Sequence, residues 1–325
     1  MGRYMLRKLA NYLILVTLAA SLSYFIAGLS LHPQANYEGR NPPLAKSTIS
    51  KTLDDVNMNP DTPIVSRFAT WANGVVHGDL GKSIDGSPVN DEVGRRIGVS
   101  TRLLLLATLI GSVGGVALGT IGAIKQYKFF DRFTTLASFF ILAMPVFVLG
   151  LFLKLLTMKF LGAGTIHFTG ETDAEFAGRW DFAALGNRAE HMLLPGLTLI
   201  LLQVALYSRY QRSTMLDVLG SDFLRTARAK GLKRRAALVK HGLRTAILPV
   251  VPLLVFNIVL LFIGATFTEK TFGWHGMGEL LINSITRNDV NTTSAVALFT
   301  AGLVLIAGLL SDLLYAALDP RVRVR

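Results

Sequence analysis

The sequence predicts an all-α integral membrane protein in which six apolar helices cross a bilayer, with a polar outer segment between the first and second. Three observations carry that prediction. About half of the 325 residues are hydrophobic and only 17% are charged, an unusually apolar composition for a soluble chain. Six runs, at about 9–31, 103–124, 133–153, 193–208, 247–268 and 295–311, are apolar enough to span a hydrocarbon core, which takes about 20 residues of helix. The basic residues between these runs sort to one side of the membrane.

The first run follows Arg3, Arg7 and Lys8, the flank of a signal peptide, but it is longer than the apolar stretch of such a peptide. Residues 1–31 are therefore expected to remain as a span. The fourth run is the shortest; it extends through Tyr207 and Tyr210, with Arg209 and Arg212 placed to reach headgroups. Asn11, Gln203 and Asn257 are the notable polar side chains within the spans, and no Asp, Glu, Lys, Arg or His falls in a span interior. That pattern excludes an obvious ion relay and argues against a secondary transporter driven by an ion gradient.

With the N-terminus inside, the inner segments hold 19 of the 33 Lys and Arg and five of the 21 acids, leaving 14 bases against 16 acids outside. The whole excess of positive charge then lies on the inner side, as the positive-inside rule expects. Nucleic acid is not needed to explain it.

Residues 32–98 form the outer segment, rich in proline (Pro33, Pro42, Pro43, Pro60, Pro63, Pro88). Its first part reads as loop. After Pro63, the residues Val65, Phe68, Ala69 and Ala72 recur at helical spacing, which predicts a short amphipathic helix on the membrane surface. A second outer loop, about 162–191, carries Glu171, Asp173, Glu175, Asp181 and Glu190; a third, 269–293, contains the turn Phe272-Gly273-Trp274-His275-Gly276-Met277-Gly278. His167, His191 and His275 are separated in sequence without ligand spacing, so no metal site is expected. The chain has no cysteine, which excludes disulfides and thiolate chemistry. Gly81-Lys82-Ser83 ends like a phosphate-binding loop, but Val76 stands where that motif needs its first glycine.

The inner loop at 217–245 is the most informative segment. Ser221 or Asp222 suits a helix N-cap, the following residues are mostly good helix formers, and Gly231 suits a left-handed C-terminal position. These signals predict a two-turn helix with fixed ends, Phe223 and Leu224 offering apolar anchors to a partner groove and Ala227 and Ala229 allowing close approach. A second helix, about 232–247, leads to Pro249 and Pro252. No nucleophile, base and orienting group form a recognisable catalytic motif.

The run from Asp222 to Gly231 resembles the cytoplasmic Glu-Ala-Ala-x-x-x-Gly signature of ABC-importer permeases. Ala227 and Gly231 match; Arg225 and Thr226 replace Glu and Ala, and His241-Gly242-Leu243-Arg244 departs from the later Ile-x-Leu-Pro. The departures are similar to the dipeptide, oligopeptide and nickel branch, whose Arg-Thr-Ala-Arg-Ala-Lys-Gly-Leu matches residues 225–232 and whose downstream Leu-Pro matches Leu248-Pro249. Gly78-Asp79-Leu80-Gly81-Lys82-Ser83, the Phe272–Gly278 turn and Ala317-Leu318-Asp319-Pro320-Arg321-Val322-Arg323 resemble further motifs of that branch. Leu31-His32-Pro33-Gln34 departs from the usual Ala-Pro-Gly-Asp-Pro end of its first span.

The resemblance implies a type I ABC-importer permease with its core at 99–325, a non-catalytic subunit of a peptide-importing, ATP-driven translocase. The same machinery in that branch also imports nickel chelates and other small solutes. It implies no cofactor in this chain, ATP and Mg being held by one or two partner ATPase subunits. A homologous second permease, an extracytoplasmic substrate-binding protein and the lipid bilayer are the other partners. The location implied is the bacterial inner membrane, multi-pass, with both termini cytoplasmic. Asp222, Phe223, Arg225, Thr226, Ala227, Arg228, Ala229 and Gly231 are the expected ATPase-coupling residues. Gln203 and Asn257 are candidates either for the substrate path or for hydrogen bonds between helices, and Glu269 and Trp274 are candidates for an outer gate.

Overall fold

The computed structural model describes residues 2–318 apart from 40, 163 and 165, with side chains described except at 2–5, 255–256, 258–264 and 313–318. The end of the terminal motif, from Asp319, lies outside these residues. Among the described residues there are helices and loops and no strand beyond one isolated bridge between Lys82 and Pro88. Two compact units form, Met1–Ser100 with His275–Ile306, and Thr101–Trp274 with Ala307–Arg325.

In the first unit, α1 (Gly2–Ser30) is apolar on most of its circumference, and Leu13, Ile14, Leu15, Leu18 and Leu22 are exposed where lipid would cover them. Near its end it turns Tyr24 onto Trp71 and Phe68 of α3 (Ile64–Val76), with ring centroids 4.9 and 5.6 Å apart. Leu53 of α2 (Lys46–Asp55), Val56, Met58 and Val290 complete this core. The first part of the outer segment is thus not loop: a 3-10 turn at Pro33–Tyr37 and α2 occupy it, because Ile49 and Leu53, four apart, supply a buried face. The buried face of α3 also differs from the expected one. Phe68, Trp71, Ala72 and Val75 pack inward, whereas Val65 is 66% exposed. The aromatic area of Trp71 decides the rotation, and buried Arg67 is accommodated because its Nε donates to the Thr62 carbonyl at 3.2 Å. The helix covers α1 and α2 with this face and leaves Val65 and Val76 exposed.

The stretch 269–293, predicted as a loop, also contains a helix. The start of α4 (Val89–Ile124) belongs to this unit. Val89 and Val93 pack there with Met277 and Leu280 of the helix Met277–Thr286 and with Ala295 and Val296 of the helix Val290–Leu318. Asp289 caps the latter: its carboxylate accepts from the Thr292 amide and hydroxyl at 3.0 and 2.7 Å and from the Ile84 amide at 3.0 Å.

In the second unit the third predicted span is broken. α5 (Phe129–Ala143) and α6 (Val146–Phe160) meet at a 109° bend. Pro145 has no amide to continue the ladder, and it holds Met144 in extended conformation (φ −93°, ψ 137°). The fourth predicted span, expected to be the shortest, is the 38-residue helix α7 (Phe182–Leu219), about 57 Å long at the usual rise. Asp181 starts it far outside the apolar run by accepting from the Ala184 amide at 2.9 Å, so the outer loop ends there rather than at 191. Pro195 lies inside the helix.

α4 and α7 approach closely along Gly111, Gly115 and Gly119, spaced by four. A Cβ on Gly111 would stand 2.5 Å from that of Gln203, and one on Gly115 2.6 Å from that of Tyr207. The glycines are what let these backbones meet. Asp131 of α5 is clamped to Arg212 of α7 by two bonds of 2.5 and 2.8 Å, and Ser138 meets Ser208 at 3.1 Å.

After α7 come α8 (Asp222–Ala229), α9 (Arg234–Ala237), a π-helical turn at Leu238–Leu243, α10 (Arg244–Ile247), α11 (Val250–Phe272), and then, in order, α12 (Met277–Thr286) and α13 (Val290–Leu318). By length and composition α1, α4, α7 and α13 can each cross a membrane, and α5 with α6 makes a fifth candidate. The fifth predicted span coincides with α11, 23 residues long, several of whose side chains lie outside the described set.

Candidate functional site

The inner-loop helix predicted from the sequence exists and its ends are built as expected in all but one bond. Ser221 is the N-cap in extended conformation, yet its hydroxyl donates back to the Val218 carbonyl at 2.6 Å rather than accepting from α8. The C-terminus is fully closed. Gly231 has φ +92°, its amide donates to the Arg228 carbonyl at 3.0 Å, and the Leu232 amide donates to the Ala227 carbonyl at 3.3 Å. This paired arrangement with a left-handed glycine is the Schellman closure.

Burial divides α8 into two faces. Leu224 is 4% exposed and packs among Met215 and Val218 of α7 and Ala237, Leu238 and Ala246 of the following turns, with Ala227 and Leu232 against the same cluster. Leu224 is therefore not the partner-groove anchor that the sequence predicts; it anchors the helix to its own chain. Phe223 remains available, at 43% exposed. The π-helical turn serves this packing. Gly242 is buried there, and an added Cβ would make ordinary contacts at 3.6 Å with Leu224, Met215 and Val218. Thr214 of α7 donates to the Ala246 carbonyl at 2.9 Å, tying α10 to the same seat.

The outward face is charged. Asp222 and Arg225 are exposed and pair loosely at 3.4 Å. Thr226 donates to the Asp222 carbonyl at 2.9 Å, and Arg228, Ala229, Lys230 and Gly231 are exposed. Arg225, Arg228 and Arg234 rim a cavity of about 260 Å³ floored by Ala123, Leu224 and Leu238. The arrangement is a short rigid element, seated apolar side down on the end of a long helix and presenting an aromatic ring among cations. It can transmit a push; it holds no catalytic constellation.

The interior candidates are placed differently. Gln203 is 2% exposed in the α4–α7 seam. Asn257 of α11 donates to the Tyr207 hydroxyl of α7 at 2.9 Å, the helix-to-helix bond that was the alternative to a path role. Glu269 and Trp274 are both buried, and the Trp274 amide donates to the Glu269 carbonyl at 2.8 Å where Gly273, at φ +59°, closes α11.

Residues 115–324, from the glycine seam of α4 through α8 and onward, match the model of a family described as binding-protein-dependent transport system inner membrane component. The chain belongs to that family. Among relatives of this inner membrane component is the oligopeptide transport system permease protein OppB of Mycobacterium tuberculosis, 47% identical over 328 residues that cover all of both chains. The oligopeptide transport system permease protein AppB of Bacillus subtilis is 32% identical over 87% of each chain. The dipeptide transport system permease protein DppB of Escherichia coli is 32% identical over 81% of this chain and 82% of its own. Family membership and the apolar helices together make this a multi-pass membrane protein.

What sequence reasoning missed here is contact formed by folding. His167, Asp173 and His191, scattered over the second outer loop and α7, converge, and spacing alone gives no sign of it.

Proposed function

We propose that this inner membrane component is the permease subunit of an ABC importer for peptides, and that α8 is the helix through which partner ATPases drive it. The observation that carries the reading is the two-faced α8: closed at its C-terminus by Gly231, seated through Leu224 on α7, with Phe223, Arg225 and Arg228 turned outward. A seated helix of this kind passes displacement to a membrane-crossing helix without bending. ATP can bias the chain only if its ATPase partner holds one position of α8 more tightly than another.

The peptide cargo is supported by relatives named as oligopeptide and dipeptide permeases. In this reading six spans cross the membrane, α11 completing the set, and the basic loop 217–245 and both termini are cytoplasmic, with 32–98 outside. The ATPases hold ATP and Mg, a second homologous permease shares the path, and a binding protein delivers cargo from outside. Gln203, Asn257, Glu269 and Trp274 enter as interior supports of path and gate rather than as walls open to solvent.

The test is uptake into proteoliposomes containing the assembled complex and an added binding protein. Peptide accumulation that requires ATP inside and survives a proton ionophore is expected. Uptake that persists without ATP and stops when the ion gradient collapses would overturn the reading.

A further inference from the structure

His191 of α7 is 1% exposed. Its Nδ1 lies 3.1 Å from the Gly170 carbonyl oxygen, which can only accept, so Nδ1 carries a proton and Nε2 is the ring nitrogen left to take a cation. That Nε2 is buried without a hydrogen-bond partner, and it stands 3.3 Å from Oδ1 of Asp173. A lone pair facing a carboxylate oxygen is repulsive unless a positive charge lies between them. On the other side, Nδ1 of His167 is 3.4 Å from Oδ2 of the same Asp173, and 3.8 Å from Oε1 of Glu190.

The ligand atoms of His167, Asp173 and His191 all lie within 4.8 Å of one another. Around a tetrahedral ion with bonds of 2.0–2.1 Å, neighbouring ligand atoms are ~3.3 Å apart; the two imidazoles stand 3.3 and 3.4 Å from the Asp173 carboxylate, one facing each of its oxygens. Supporting groups hold these ligands in place. Asp173 is fixed by Asn187, whose amide donates to Oδ2 at 2.6 Å and accepts from the Asp173 backbone amide at 3.0 Å. Glu190 accepts from the His167 amide at 2.9 Å. A carbonyl behind one imidazole and an amide behind the carboxylate are the outer shell that metal ligands ordinarily have.

We propose that His167, Asp173 and His191 bind one divalent transition-metal ion, with Glu190 or water in the fourth position. Two imidazoles and one carboxylate select Zn²⁺ and its neighbours over Mg²⁺ and Ca²⁺. The ion staples the segment following α6 to α7. That segment also reaches the end of α11, since the Gly170 amide donates to the Phe272 carbonyl at 2.9 Å, so the staple fixes three elements of one unit. The site stands independently of the cargo and of the ATPase contact.

The experiment uses the full chain in detergent, carrying no histidine tag and stripped with a chelator. Titration with Co²⁺ should give the visible absorption of a tetrahedral N/O site, saturating at one equivalent and displaced by Zn²⁺. His191→Ala and Asp173→Asn should weaken Zn²⁺ binding at least tenfold and abolish the Co²⁺ band. His167 is half-exposed, so His167→Ala tests the site without emptying a buried position, and circular dichroism checks that each variant keeps its helices. Absence of stoichiometric binding by the unmodified chain, or binding that is unchanged in the folded His167→Ala variant, would overturn the proposal.

Discussion

Gly231 shows how one residue fixes an element. Its φ of +92° is open to glycine and strained for a β-branched side chain, while an added Cβ would meet nothing within 4 Å. The cost of substitution is therefore backbone strain alone, about 1–3 kcal/mol. Gly231→Val should lower ATP-driven uptake several-fold while ATPase activity continues, and Gly231→Asn, which tolerates the left-handed region, should retain most of it; parallel assays of both rates decide. Asp289 offers a second test. Burial pushes its carboxyl above the usual range despite the bonds from Thr292 and Ile84, and Asp85 adds repulsion. A raised carboxyl pKa in the folded state contributes stability that is present below the unfolded value and lost as pH rises through the folded one. The melting temperature of the unmodified chain should therefore gain on that of Asp289→Asn as pH falls from about 7 toward about 4. A difference that stays constant or moves the other way contradicts the burial argument.

At the scale of elements, the α4–α7 seam depends on glycines that admit the Cβ atoms of Gln203 and Tyr207. Gly115→Ile should overpack it, lowering stability by about 1–3 kcal/mol and the melting temperature in detergent with it; an unchanged melt would mean the helices are free to separate. The same scale shows what was legible beforehand. α8 was readable because its signals are local: Ser221 before it and Gly231 after it act within one turn. The apolar runs marked where membrane helices lie but not where they stop, so α7 extended into residues read as loop once Asp181 capped it. The break at Pro145 was written in the chain, but averaging over an apolar run conceals a single proline. α2, α12 and the inward turn of Leu224 depend on partners distant in sequence, and the convergence of His167 and His191 depends on the path of the intervening loop. None of these has a local signature.

For the molecule as a whole, the account rests on charge sorted across a bilayer and on a lever at the positive side. Eight basic residues and no acid lie between Arg225 and Arg244, which favours retention of that loop in the cytoplasm. In the proposed orientation that face meets the energy source, and the 32–98 segment and the loop bearing Asp173 are placed outside. The absence of native cysteine leaves a single introduced thiol as the only reactive one. Ala229 of α8 is exposed and small, so Ala229→Cys places a probe on the lever with little disturbance. The measurement is labelling of that cysteine by a membrane-impermeant maleimide in vesicles of known orientation. Labelling confined to inside-out vesicles and suppressed when the ATPase subunits are bound is predicted; labelling in sealed right-side-out vesicles would contradict the account.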